Sequence, residues 1–145
     1  MKSRVFEAQD ALFALVEAGT YPGRVSVSLG APPRLETDHV WIAGSVEDYP
    51  SEYRVSGLGQ KDERFTLRAC VWSKRFGRYT DARDRADELA TVVEQIIINN
   101  HRLTNTVDLA TLARVSVEDA IDEDGRAYVV LITLSVDCQA FVPNV

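Results

Sequence analysis

Apolar residues at Val5, Ala8, Leu12, Leu15 and Val16 recur at the three-and-four spacing that puts one stripe on one side of a helix, so residues 5–17 are predicted helical, ended by Gly19. Strand patterns follow. Residues 24–29 alternate, with Val25, Val27 and Leu29 on one side and Ser26 and Ser28 on the other, until Gly30-Ala31-Pro32-Pro33 breaks the run. A second strand fits 39–44 around Val40, Trp41 and Ile42, and Tyr53 with Val55 suggests a short third one before the turn at Gly57-Leu58-Gly59. Between them the acidic stretch 45–51, which contains Pro50, is expected to be a loop. The clearest strand spans 63–73: Phe65, Leu67, Ala69 and Val71 share one side, and Thr66, Arg68, Cys70 and Trp72 the other.

A second helix is predicted from Thr80, taken as N-cap with Asp81 and Asp84 behind it, to about Asn99; its stripe is Ala82, Ala86, Leu89, Ala90, Val93, Ile96 and Ile97. Two last strands, 109–117 and 126–140, flank Asp122-Glu123-Asp124-Gly125, because Asp-Gly between apolar runs is a strong hairpin signal. The residues from Phe141 to the end leave the pattern and are expected to form a tail that packs on a neighbour. Helix, strands, long helix and hairpin in that order imply an α+β fold, a mostly antiparallel β-sheet packed against two α-helices. No repeat or composition break divides the chain, so one domain over residues 1–145 is expected.

Composition narrows the classes. At 145 residues, 46% hydrophobic and 26% charged, the chain can bury roughly 70% of its unfolded surface and is too apolar to be disordered. A net charge of −6 with no basic, aromatic-interleaved stripe argues against gripping nucleic acid. Glu7 and Asp10 interrupt the apolar run a secretory signal needs, and no stretch has the length of a membrane span. Cys70 and Cys138 lack zinc-ligand spacing and fit buried free thiols in a protein made in a reducing cytoplasm.

Candidate chemistry is sparse. If Gly125 held the sixth position of a calcium loop, Ala120 would be the first ligand and Leu131 the bidentate one, so the acidic turn is a solvated hairpin tip. Asp81, Asp84, Asp87 and Glu88 cluster near the start of the second helix, but Arg83 stands four residues before Asp87 and Arg85 four after Asp81, the pattern of an exposed, ion-paired helix side. His39 next to Asp38 makes no dyad, since adjacent strand residues point to opposite faces, and His101 has no partner motif. Gly57-Leu58-Gly59-Gln60-Lys61 lacks Walker spacing. No catalytic, metal or cofactor residues are expected. What stands out is charge: Lys74, Arg75, Arg78, Arg83 and Arg85 gather around Trp72, Phe76 and Tyr79, while acid gathers at Glu47, Asp48 and 118–124. Opposite charges segregated on one subunit suit head-to-tail contact between copies, so Lys74, Arg75, Phe76 and Arg78 on one side and Asp122, Glu123 and Asp124 on the other are interface candidates.

The layout resembles the tail terminator family of long-tailed bacteriophages. The resemblance runs through the N-terminal helix, the strand at 24–29 with Gly30-Ala31-Pro32-Pro33, Asp38-His39-Val40-Trp41-Ile42, the alternating strand 65–71, Tyr79-Thr80-Asp81-Ala82 and the hairpin at Asp124-Gly125-Arg126. It implies a virion protein without enzymatic activity or cofactor, forming a ring, usually of six. The ring would cap the tail tube, stop its polymerisation and present a surface to the head connector. Its partners would be copies of itself, the major tail protein and a head-completion protein, with DNA passing through the acidic lumen unbound. Residues 45–62 and the C-terminal tail, with Tyr49, Tyr53 and Phe141, are the expected contacts with adjacent rings. A neck or tail-completion protein of the same connector shares this element order; a small α+β enzyme or ligand-binding domain with an unmarked pocket, and a cellular adaptor, are the other readings.

Overall fold

The computed structural model describes residues 4–35, 37–43, 52–55, 60–122 and 125–143, with backbone alone for 52–55, 60–63, Arg114 and 141–143. The elements are α1 (Val5–Glu17), β1 (Ser26–Leu29), β2 (Asp38–Ile42), β3 (Glu52–Val55), β4 (Gln60–Phe76), α2 (Tyr79–Asn99), β5 (Leu109–Ile121) and β6 (Ala127–Pro143). They build a six-stranded sheet ordered β1-β2-β4-β6-β5, with β3 also paired to β4, and every pairing is antiparallel except β1 with β2. The α+β class with a mostly antiparallel sheet is as the sequence predicts.

The spine is the pair β4 and β6, each 17 residues long and in register from Gln60 opposite Pro143 to Phe76 opposite Ala127. Phe65, Leu67, Ala69 and Val71 of β4 and Val130, Ile132, Leu134, Val136 and Cys138 of β6 face one way, and all are buried. Both helices lie on that side. From α1 come Val5, Ala8, Leu12 and Val16; from α2 come Ala82, Ala86, Leu89, Ala90, Val93 and Ile97, the predicted stripe with only Ile96 partly exposed. The alanines of α2 let its axis approach the sheet. Gln9 on α1 donates its amide to the Ala43 carbonyl just past β2, which ties the first helix to the second strand.

Several boundaries differ from expectation. Helix α2 begins at Tyr79 with Arg78 in the cap position and no side-chain cap, so Thr80 sits inside the first turn. Its start is fixed instead by tertiary contacts: the Tyr79 hydroxyl donates to Asp119 at 2.9 Å and its ring meets Tyr128 edge-on at 6.0 Å. The strand predicted at 63–73 runs on at both ends because β6 offers partners all along it, and the predicted tail at 141–143 is the end of β6, paired with residues 60–62. Among the described residues no helix is long and apolar enough to cross a membrane.

Cys70 and Cys138 are free and buried. Cys138 stands opposite Phe65 on the helix-bearing face, and Cys70, five residues further along β4, points to the other face. A disulfide between them is geometrically excluded.

Candidate assembly interface

Residues from two other elements converge on Asp38, the first residue of β2. Ser73 is its register partner on β4, Arg75 lies two residues on and on the same face, and Arg85 reaches down from α2. Arg75 grips the carboxylate with both terminal nitrogens, Nη1 to Oδ1 at 2.8 Å and Nη2 to Oδ2 at 2.9 Å; Arg85 Nε donates to Oδ2 at 2.9 Å and Ser73 Oγ to Oδ1 at 3.0 Å. The Asp38 side chain is only 6% exposed, so this is a desolvated charge held by a bidentate guanidinium and two more donors. Burial alone would raise its pKa, but the hydrogen bonds from Arg75, Arg85 and Ser73 together outweigh it and hold the carboxyl below the usual range. The same hydrogen bond keeps the Arg75 guanidinium charged more firmly than usual.

Backbone geometry protects the knot. Gly23 has φ +78°, and a Cβ there would lie 3.0 Å from Arg85 Nη2. A side chain at that position would strain the backbone and press on the guanidinium at once. Beside the knot opens a cleft of about 530 Å3 lined by Gly23, Arg24, Ser26, Thr37, Asp38, Arg75 and Arg85, rich in guanidinium although the chain is acidic overall.

The charge segregation expected from sequence is largely undone by folding. Lys74 Nζ stands 3.3 Å from Asp122 and 5.7 Å from the centre of the Phe76 ring, and Asp122 also accepts the Arg126 and Ala127 backbone N–H groups. Arg78 pairs with Asp81, Arg83 with Asp84, and Arg85 with Glu88 as well as Asp38; the partners are not the four-residue ones the sequence suggests. Antiparallel pairing of β4 with β6 brings the end of β4 to the base of the last hairpin, so the basic connection and Asp122 neutralise one another within the subunit. Of the other candidates on this side, Arg75 is committed to Asp38, whereas Phe76, 68% exposed, and Arg78 remain on the surface. Glu123, Asp124 and Tyr49 lie outside the described residues, as do the side chains of Tyr53 and Phe141. His39 is on the face opposite Asp38, as expected, with Ser28 Oγ 3.0 Å from its Nε2 and the Trp41 ring edge-on at 6.0 Å.

Among the described residues the strand order ends at β1 and β5, and β3, paired only with β4, is a third outer strand. At the start of β5 the edge is taken up, since the Ala110 N–H donates to the His101 carbonyl, and a bulge follows between Leu112 and Arg114. Beyond it Val115, Val117 and Ile121 share the helix-bearing face with Ile132 and Leu134, yet each is more than half exposed because neither helix covers them. On β1, Leu29 is 46% exposed on the same face. Leu29, Val115 and Val117 fall in the predicted strands, whereas Ile121 lies beyond the one predicted at 109–117, and nothing in the sequence pattern tells which rows a helix will reach.

No family model matches the chain, and no curated protein matches it either. Among solved structures, the chain is similar to a chain of the virion of a native gene transfer agent (GTA) particle, at 14% identity over 94% of this chain and 92% of that one, with a TM-score of 0.39.

Proposed function

We propose that this chain is a structural virion subunit, the tail terminator of a long-tailed phage, which assembles into a ring, most simply of six, on the head-proximal end of the tail tube. There it ends tube growth and offers its other side to the head connector. The single observation that carries the reading is the exposed apolar row at Val115, Val117 and Ile121 on a sheet edge that ends without a covering layer, as a subunit completed by its neighbour would have. The element order supports it, for the stretches that carry the family resemblance fall on β1, β2, β4, the start of α2 and the last hairpin.

Purified chain imaged by negative stain should give rings with a central hole, and added to polymerising tail-tube protein it should hold the tubes at finite length with a ring at one end. Rings that bind the head connector and leave tube length unchanged would move the protein to the neck. A chain that remains monomeric alone and with tube protein would refute the reading.

A further inference from the structure

We infer that the contact between copies is a sheet-to-sheet junction in which β1 of one subunit adds to β5 of the next; this rests on the ring reading and names its interface. Polarity, side-chain facing and charge lead to it independently. Following the pairings across the sheet, β2 and β6 run against β4, β5 runs with it, and β1 runs with β2. A second copy placed beside the first in the same orientation therefore meets β5 with an antiparallel β1, the hydrogen-bonding arrangement that sheets use most.

Facing agrees. With Val27 opposite Val117 and Leu29 opposite Val115, the bare apolar row of β5 continues onto β1 of the neighbour on one face. Helix α1, which packs over β1 within its own subunit, would arrive with that strand and cover the row that α2 leaves open. The helix layer then continues across the junction as the sheet does.

Charge selects this pairing over the symmetric ones. With Asp122 already offset by Lys74, residues 108–121 hold Asp108, Glu118 and Asp119 against Arg114 alone, whereas residues 23–35 hold Arg24 and Arg34 and no acid. Joining β5 to β5, or β1 to β1, would set like charges together. In the register given, Ser26 stands opposite Glu118 and Arg24, two residues earlier, is its diagonal neighbour on the same face. Among the described residues Arg24, Arg34 and Glu118 make no ion pair within the subunit, so these charges are available to a neighbour.

A mixing experiment tests the head-to-tail character. Leu29→Lys blocks β1 only and Val117→Lys blocks β5 only, both at sites about half exposed where the monomer tolerates a charge. By light scattering each variant should be a monomer, and the equimolar mixture should double in mass to a heterodimer that grows no further, using the one intact β5 and the one intact β1. As a second pair, Arg24→Glu and Glu118→Lys should each weaken ring formation at least tenfold and restore rings when combined. Variants that still close rings like the parent chain would overturn this junction and leave the ring reading standing. Homodimers of either blocked variant would replace it with a symmetric contact. A parent chain that never associates, with tube protein or without, would sink both readings together.

Discussion

Asp38 shows how much one residue can hold. It joins β2, β4 and α2 through a carboxylate whose lone pairs are all engaged, and removing one partner of a buried ionic group typically costs about 3–5 kcal/mol because the other charges stay behind. We expect Asp38→Ala to lose about 3 kcal/mol or more in urea unfolding at neutral pH, since Arg75 and Arg85 would be left facing one another. The pH dependence has a definite sign. The folded-state pKa is lowered, so the contribution of Asp38 is complete above the ordinary carboxylate value of about 3.9 and is lost as pH falls from there through the folded value. As pH falls below about 4 the parent chain should therefore lose stability faster than Asp38→Asn, and parallel curves for the two would contradict the assignment. In the sequence Asp38 has only His39 beside it, which must point the other way. The residues that engage it, Ser73, Arg75 and Arg85, lie 35 to 47 residues later in the chain. Contacts of that kind follow from strand register, which no local pattern encodes.

At the scale of elements, local pattern and observed structure agree where one face of an element is buried by its own fold. The stripes of α1 and α2 and the alternation of β4 were legible because burial on a single side imposes the period. Ends were less legible: α2 is started by Tyr79 packing on Tyr128 rather than by a cap, and β4 and β6 outrun their apolar centres because each supplies hydrogen-bonding partners for the other. The link from α2 to β5 shows a further limit. Leu103, Thr104 and Asn105 adopt φ values of 44°, 57° and 63°, three consecutive left-handed residues without a glycine, and the turn is held by Leu103 buried in the core and by Thr106 Oγ1 donating to the Leu103 carbonyl. A β-branched residue there is strained by about 1–2 kcal/mol. Thr104→Gly should relieve most of this and raise the urea midpoint by the equivalent of about 1 kcal/mol with no change in secondary structure by circular dichroism; a drop in the midpoint would mean that the Thr104 side chain contributes more than its strain costs.

For the molecule as a whole, the interface charges read from sequence, Lys74, Arg75 and Asp122, turn out to be spent on contacts within the subunit. The apolar row on β5 and the arginines flanking β1 were in plain view yet unremarkable, since only the sheet order places them on opposite edges. That arrangement gives association an ionic-strength signature. If oppositely charged edges meet, raising sodium chloride from about 0.1 to 1 M, which shortens the screening length from about 10 to 3 Å, should weaken association roughly tenfold. Association unchanged by salt would point to a contact made by apolar surface alone. Sedimentation velocity across that range measures it.

The two thiols, facing away from each other across the sheet, make the protein its own two-channel reporter. Burial and the Asp137 charge push the Cys138 thiol up to about 12, so alkylation of Cys138 is silent until the helices lift off that side. Cys70, whose pKa burial also raises, answers only to loosening of the opposite side. Following the two labels by mass spectrometry during slow denaturation would show which face of the sheet opens first, with no engineered probe.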